Sequence, residues 1–165
     1  MKVDVNAEVA RLRELYALGE AELKKRVQNS FDTPAAGGWS AAQHLEHVIK
    51  VNASVSRLIP ALLAGKFALR SAPAKPKRLT ELYAGRFPKG GTSPEDMQPG
   101  SGSDLTDLER NWAASLNTVS AFEGQDLTSD YRLEHVFYGS LNAGEWLRFM
   151  GVHTRHHLNL IGASA

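Results

Sequence analysis

Residues 39–48, WSAAQHLEHV, decide the fold because they contain the clearest helix start in the chain. Ser40 and Gln43 have the spacing of a capping box, in which two side chains hydrogen-bond the free amide groups of the first turn. Trp39 stands just before the cap, where a hydrophobic staple is expected. Apolar residues then recur at helical spacing, and a helix is predicted from this cap to about Gly65.

Three other segments have the apolar periodicity of amphipathic helices. They cover residues 5–27, residues 104–119 with a cap at Asp104, and about residues 143–162. Four such helices without a convincing sheet predict an all-α bundle. The length of 165 residues suits one domain, residues 1–165.

The connection between the second and third helices, residues 66–103, is rich in proline and glycine. It is predicted to cross over the bundle, with a short helix near residues 78–84 and a candidate lid at Gly90 and Gly91. The short first link makes helices one and two antiparallel, whereas the long crossover permits helices two and three to be parallel. A short second loop, in which residues 133–138 can be extended, makes helices three and four antiparallel. Helices two and four are therefore expected to run in opposite directions.

The composition excludes several classes of protein. Lysine and arginine number 19 and aspartate and glutamate 18, so that no basic patch for nucleic acid is expected. The chain has no cysteine, which excludes disulfides, thiolate ligands and a cysteine nucleophile and fits a reducing cytoplasm. The charged N-terminal stretch has no apolar core of a signal peptide, and no apolar run reaches the length of a membrane span. We therefore expect a cytoplasmic protein that binds neither nucleic acid nor membrane.

Three histidines fall on apolar helical faces: His47 in the second helix, and His153 and His157 in the fourth. His153 and His157 are four residues apart, which places their side chains on adjacent turns of one face. In antiparallel neighbours His47 and His157 lie at similar height, so that three imidazoles can meet. Imidazole is the commonest ligand for zinc, nickel and iron, and three ligands leave positions open for water or substrate. The spacing thus predicts a metal site, although a histidine on an apolar face can equally be a hydrogen-bonded core residue.

Other side chains compete with these ligands or adjoin them. His44 and His156 are each three residues from a candidate ligand and can replace it by geometry, which periodicity does not decide. His135 lies in the second loop and can approach the site. Aromatic side chains can wall the pocket, an arginine can meet an anionic substrate, and a glutamate can orient a ligand imidazole. The candidates for these roles are Trp112, Trp146, Phe149, Arg155, Glu46 and Glu145.

Several stretches resemble the sequence motifs of the DinB/YfiT-like superfamily. The first is WSAAQHLEHV at residues 39–48, with its Trp-Ser pair, a following amide and a histidine. The others are HVFYG at residues 135–139, EWLRF at residues 145–149 and HTRHH at residues 153–157. Their order and separation, together with the proline-rich crossover, extend the resemblance over most of the chain.

The resemblance implies an up-down-down-up four-helix bundle with the long crossover between helices 2 and 3. It also implies a divalent metal ion held by His47, His153 and His157 rather than by His44 or His156. Zinc and nickel are the leading ions, with iron and manganese as alternatives. Family members with known activity include metal-dependent thiol transferases and a thiol-dependent maleylpyruvate isomerase.

The leading functional hypothesis is a metal-dependent enzyme, a thiol-dependent transferase or else a hydrolase or isomerase, that acts on a small molecule through a metal-activated nucleophile. Because the chain has no cysteine, a thiol would come from a low-molecular-weight cosubstrate. A second hypothesis is a non-catalytic metal-binding or stress-response bundle. A third is a metal-free bundle that acts through a homodimer interface, for which the additional apolar residues Leu15 and Leu18 leave room.

Overall fold

The computed structural model describes residues 2–26, 31, 33–34, 38–66, 69–70, 76–88, 93–100 and 104–163. Its main elements are four long helices, and a shorter helix lies in the crossover. In chain order the helices are α1 Val5–Lys25, α2 Ala41–Leu63, α3 Pro76–Tyr83, α4 Leu105–Ser120 and α5 Ala143–Leu160. These elements match the predicted helices. The predicted end of α1 at Val27 and the candidate lid at Gly90 and Gly91 lie outside the described residues.

Side-chain caps fix where the long helices begin. Ser40 accepts a hydrogen bond from the backbone N–H of Gln43 (3.2 Å), and Gln43 accepts one from the backbone N–H of Ser40 (2.9 Å). The predicted capping box is therefore confirmed. Asp104 caps α4 as predicted. Asn142 and Glu145 form a second capping box at the start of α5, which was not predicted.

Each of α1 and α2 packs against both α4 and α5, so that α1 and α2 lie across one diagonal of the bundle and α4 and α5 across the other. His44 near the start of α2 meets His157 near the end of α5, and His47 meets His153. Because later positions of α2 meet earlier positions of α5, these two helices are antiparallel, as predicted.

The contacts between α1 and α4 also show opposite directions. Arg13 of α1 donates to both carboxylate oxygens of Glu123, just beyond the end of α4 (2.8 and 2.7 Å). Farther along α1, the carbonyl of Tyr16 accepts a hydrogen bond from the indole N–H of Trp112, which lies earlier in α4 (2.9 Å). The two helices are therefore antiparallel.

The helices α1 and α5 run in the same direction. Near their beginnings Glu8 forms an ion pair with Arg148. Beyond their ends Arg26 donates to the carbonyl of Ile161 (2.9 Å). The helices α1 and α5 thus point one way, and α2 and α4 point the other way. In chain order the long helices are therefore arranged up-down-down-up. This arrangement confirms the predicted fold class.

The core fills the space between the long helices, where Leu12, Leu45 and Leu147 are fully buried. Leu15 is 4% exposed, and Leu18 packs against the edge of the core. The apolar residues that suggested a homodimer are thus accounted for by the core of a single chain. Among the described residues, no helix combines the length and apolar character that crossing a membrane requires.

A small antiparallel sheet, which was not predicted, contacts α2 and α5. Its strands are β1 Leu69–Arg70, β2 Tyr131–His135 and β3 Gly139–Leu141, in the order β1-β2-β3. The predicted extended stretch at residues 133–138 coincides with part of β2 and the turn into β3. Strands this short give little alternation to recognise, and β1 pairs with a strand that is remote in sequence.

The crossover is fastened to two different helices. Arg148 of α5 donates to the carbonyls of Leu82 (3.2 Å) and Tyr83 (2.5 Å) at the end of α3. Beyond α3, a 3₁₀ turn, Glu95–Met97, lies against α2. The crossover thus reaches both helices that carry the candidate ligands.

Candidate metal centre

Three histidines from two helices meet between α2 and α5. The Nε2 atom of His153 lies 3.1 Å from the Nε2 atom of His47 and 3.1 Å from that of His157. One ligand atom from each ring lies within 4.8 Å of the others, and all three side chains are buried. The cluster can therefore hold a metal ion.

The separation of the nitrogens suits a shared cation. Two ligands at about 2.05 Å from an ion, at angles of about 90–110°, lie about 2.9–3.4 Å apart. Both Nε2–Nε2 distances of 3.1 Å fall in this interval. Hydrogen bonds have similar lengths, so the positions of the ring hydrogens decide between the two explanations.

The hydrogen of His47 is placed by a backbone carbonyl. Its Nδ1 lies 2.7 Å from the carbonyl oxygen of Met97, which can only accept, so that Nδ1 carries the hydrogen and Nε2 presents a lone pair. The neutral ring of His153 can point an Nε2–H at His47 or offer a lone pair to His157, but one nitrogen cannot do both. At most one of the two contacts is then a linear hydrogen bond, whereas a cation satisfies all three lone pairs.

His44 lies behind His157. The Nδ1 atoms of the two rings are 2.8 Å apart, so that one donates and the other accepts. When His157 donates, its Nε2 presents a lone pair to the cluster, as a metal ligand requires. In that tautomer His44 supports a candidate ligand, as the carbonyl of Met97 supports His47.

Burial keeps the three imidazoles neutral. Loss of solvation lowers the pKa of His47, although the hydrogen bond to Met97 acts in the opposite direction. Loss of solvation, with a smaller effect of neighbouring histidines, lowers the pKa of His153 well below its ordinary value and that of His157 to about 2. Neutral imidazoles offer their lone pairs near neutral pH and do not repel a cation.

The third candidate ligand, His153, has no comparable support at its second ring nitrogen. The Nδ1 atom of His153 is buried and has no hydrogen-bond partner within the described part of the chain. Its ring is held by packing instead, with the ring centres of Phe87 and Phe149 each 5.4 Å away. His153 is therefore oriented by aromatic contacts, whereas His47 and His157 are oriented by hydrogen bonds.

The bundle topology and the histidine cluster agree with one known family. The sequence matches the DinB superfamily over residues 7–161, which is nearly the whole chain. The chain belongs to the DinB superfamily. No curated protein and no solved structure matches it in the corresponding comparisons. The family match confirms the resemblance seen in the sequence motifs.

In this DinB-superfamily chain, two aromatic side chains that were not predicted as walls flank the cluster. The ring of Trp39 lies 5.0 Å from that of His47 and 6.1 Å from that of His157. The ring of Phe87, from the crossover, lies 5.4 Å from that of His153. The place of Trp39 before the helix cap is a signal for this role, because a staple residue packs over the first turn. Phe87 follows α3 in irregular backbone and has no such signal.

The aromatic residues predicted as walls have different positions. Phe149 contacts both His153 and His135, with ring centres 5.4 and 4.6 Å apart. Trp146 packs on His135 (5.3 Å) and on Phe149 (5.5 Å). Trp112 packs between α1 and α4 and is not a wall of this cluster.

The remaining candidates are not among the three residues whose ligand atoms converge. His156 is half-buried, stacks on Phe87 with ring centres 4.5 Å apart, and contacts the ring of His157 edge-on at 5.1 Å. His135 accepts a hydrogen bond at Nδ1 from the backbone N–H of Phe137 (3.1 Å), and burial lowers its pKa to about 4. Arg155 is exposed on α5, so the structure does not place it in the buried cluster.

The two carboxylates considered as orienting groups make other contacts. Glu145 is buried, caps α5 and pairs with Arg132 (3.0 Å). Glu46 accepts a hydrogen bond from a backbone N–H of the crossover (3.1 Å) and pairs with Lys50 (2.9 Å). The support of Met97 for a ligand had no sequence signal, because a main-chain carbonyl is common to every residue type.

Proposed function

We propose that this DinB-superfamily protein is a divalent-metal-dependent enzyme whose ligands are His47, His153 and His157. The observation that supports the proposal is the convergence of three buried imidazoles, whose Nε2 atoms lie 3.1 Å from the nearest neighbour in the cluster. Zinc and nickel are the ions we propose first, with iron and manganese as alternatives, because availability often decides which ion occupies such a site.

The chemistry follows from the charge and the number of the ligands. When bound, a divalent ion lowers the pKa of a coordinated water or thiol, so that an anionic nucleophile exists near neutral pH. Three imidazoles are uncharged and leave coordination positions open for such a group. The carbonyl of Met97 would hold the tautomer of His47, His44 would hold that of His157 by accepting its Nδ1 hydrogen, and Trp39 packs on one flank of the cluster.

Thiol-dependent group transfer is the reaction class that we propose. The family resemblance includes thiol transferases, and the chain itself has no cysteine. A thiol nucleophile would therefore be a small cosubstrate, which a reducing cytoplasm keeps available. Hydrolysis and isomerisation through a metal-activated nucleophile are the alternatives. In each case the partner is a small molecule.

A non-catalytic metal-binding bundle is the second candidate, and one observation favours it. The ligands His47, His153 and His157 are only 4%, 3% and 7% exposed, as in a closed structural site. An enclosed ion would serve the stability of the bundle.

Removal of the metal separates the two functions. The protein is purified without a histidine tag, its metal content is measured by elemental analysis, and the metal is then removed with a chelator. We expect about one ion per chain, a helical circular dichroism spectrum that survives removal, and thiol transfer to a chromogenic electrophile only after reloading. Loss of the helical signal without any thiol-dependent turnover supports the structural role instead. Metal content near zero, with no protection by added zinc or nickel, contradicts both.

A further inference from the structure

Residues 94–100 of the crossover, here called the strap, lie along α2 beside the histidine cluster. Four hydrogen bonds connect the strap to this helix. They join the carbonyl of Met97 to His47 Nδ1 (2.7 Å), the carbonyl of Gln98 to Lys50 Nζ (2.8 Å), the N–H of Gly100 to Glu46 Oε1 (3.1 Å) and the carbonyl of Gly100 to Gln43 Nε2 (3.2 Å). The strap therefore contacts a candidate ligand directly and is held by groups that are not ligands.

The strap is held less firmly than α3, the other fastened part of the crossover. A fully buried side chain, Leu82, anchors α3, and the largely buried Arg148 donates to two of its carbonyls. Every described residue of the strap is half-buried or exposed, and its bonds to Glu46 and Lys50 reach solvent. Exposed polar pairs contribute little to the stability of a fold. Removal of the Glu46 and Lys50 side chains should thus loosen the strap and leave the bundle folded.

We propose that the strap raises the metal affinity of the centre by holding the tautomer of His47. Glu46 and Lys50 are positioning residues, because they hold the strap in place beside this ligand. With the strap in place, the carbonyl of Met97 accepts the Nδ1 hydrogen of His47 and leaves Nε2 free for the ion. Without it, the hydrogen can move to Nε2, and the ligand atom is lost to the ion. This inference rests on the proposed function and adds to it a segment of the chain, the strap, that sets the metal affinity.

The coupling between the strap and the ion is reciprocal. An ion on Nε2 of His47 keeps the hydrogen on Nδ1 and strengthens the bond to the carbonyl of Met97, so that bound metal favours the closed strap. By linkage, the closed strap favours bound metal by the same factor. The strap should therefore become more protected when metal binds, and a loosened strap should weaken metal binding.

A matched set of variants tests this role. The test variant carries Glu46→Ala and Lys50→Ala. The control carries Glu20→Ala and Lys24→Ala, which removes an exposed pair of the same spacing from α1 (2.5 Å). Lys50→Arg is the rescue variant, because its guanidinium can still donate to the carbonyl of Gln98. Affinities for zinc and for nickel are measured by competition with a chromophoric chelator, and hydrogen exchange of residues 94–100 is followed with and without zinc.

The variants should differ in zinc affinity and in the hydrogen exchange of the strap. We expect zinc affinity to fall by about tenfold in the test variant, as is typical when support behind a ligand is lost, and by less than about twofold in the control. Lys50→Arg should remain within about threefold of the wild type. Zinc should slow hydrogen exchange in the strap of the wild type, and less so in the test variant.

Two results would contradict the role of the strap without contradicting the proposed function. Equal zinc affinity in the test and control variants, with wild-type binding intact, would exclude Glu46 and Lys50 from the metal centre. Exchange in the strap that does not respond to zinc would remove the coupling. Failure of the wild type to bind any of zinc, nickel, iron and manganese would contradict the proposed function itself, and the inference would fall with it.

Discussion

Two of the buried polar clusters among the described residues differ in whether their atoms satisfy one another. The hydroxyl–amide cluster takes one side chain from each long helix, namely Tyr16, Asn52, Ser115 and Thr154. Asn52 Nδ2 donates to the hydroxyls of Tyr16 (2.9 Å) and Thr154 (3.2 Å), and the hydroxyls of Tyr16 and Ser115 are 2.5 Å apart. Donors and acceptors alternate in this cluster, and only its Asn52 Oδ1 lacks a partner among the described residues. It can fix the positions of four helices without a ligand.

The histidine cluster is buried to a similar degree, but its nitrogens face one another. His47 presents a lone pair to His153, and the contacts of His153 with His47 and His157 cannot both be linear hydrogen bonds. Buried acceptors without donors are costly, and a cation held among the nitrogens would remove this cost. Burial of polar groups therefore does not by itself indicate a metal site, whereas buried ring nitrogens that cannot all satisfy one another make the histidine cluster a candidate.

Loss of a ligand should change the histidine cluster most. We expect His153→Ala to lower metal affinity by at least about a hundredfold, because a coordinate bond is lost. His156→Ala should lower it by less than about threefold, since His156 stacks on Phe87 beside the cluster. Elemental analysis and metal titration measure both variants. The reverse ranking would contradict the choice of ligands.

Removal of the Asn52 amide, at the centre of the hydroxyl–amide cluster, should lower stability and leave metal affinity nearly unchanged. We expect Asn52→Ala to lower the free energy of unfolding by about 1–3 kcal/mol, because the hydroxyls of Tyr16 and Thr154 lose their donor inside the core. Metal affinity should stay within about threefold of the wild type, since no ligand contact is removed. Urea denaturation and metal titration on the same preparation measure the two quantities. A large fall in metal affinity would mean that the two clusters are coupled.

The fold was predictable where its signals are local. The caps at Ser40 and Asp104 mark helix starts because their hydrogen bonds join residues only a few positions apart. The strand β1 gave no such signal, because it has two residues and pairs with a strand remote in sequence. Helix directions could be inferred because the lengths of the links restrict which helices can be parallel.

The convergence of His47, His153 and His157 could be proposed from the sequence, because all three lie on apolar helical faces and the link lengths make their two helices antiparallel, but the choice of these three came from the family resemblance. Their surroundings were less predictable. Periodicity left His44 and His156 open as alternatives, since residues three apart share a helical face. Only contacts between helices separate these two positions from the cluster, and the supports from the crossover are set by its irregular path.

His44 offers a finer test, because it supports the histidine cluster from outside. His44→Phe keeps a ring against Trp39 but removes the Nδ1 partner of His157, and we expect metal affinity to fall by about tenfold. His44→Asn keeps a polar acceptor and should recover part of the loss. Calorimetric titration with zinc measures the affinities, and circular dichroism confirms the fold. Unchanged affinity in His44→Phe would show that His157 holds its tautomer without this neighbour.

The smallest expected effect is a loss of folding stability at low pH that is due to His135, a buried histidine outside the cluster. Burial lowers the pKa of His135 to about 4 in the folded chain, against an ordinary value of 6.5. Between these values the unfolded state binds more protons than the folded state, so that stability falls as the pH falls. We expect the metal-free wild type to lose about 1 kcal/mol more than His135→Asn between about pH 6.5 and about pH 5.5. Urea denaturation at the two pH values measures the difference.

Asn52→Ala is the control for this test. Burial raises the pKa of Tyr16, so that neither its hydroxyl nor an amide titrates in the acid range, and the variant should lose stability as steeply as the wild type. The other buried histidines are present in all three proteins and cancel in the differences. His135→Asn keeps a side-chain oxygen that can accept the N–H of Phe137, which preserves the turn. Equal pH dependence in His135→Asn and the wild type would mean that His135 takes up its proton in the folded chain as readily as in water. A lowered pKa would then separate the three candidate ligands from His135.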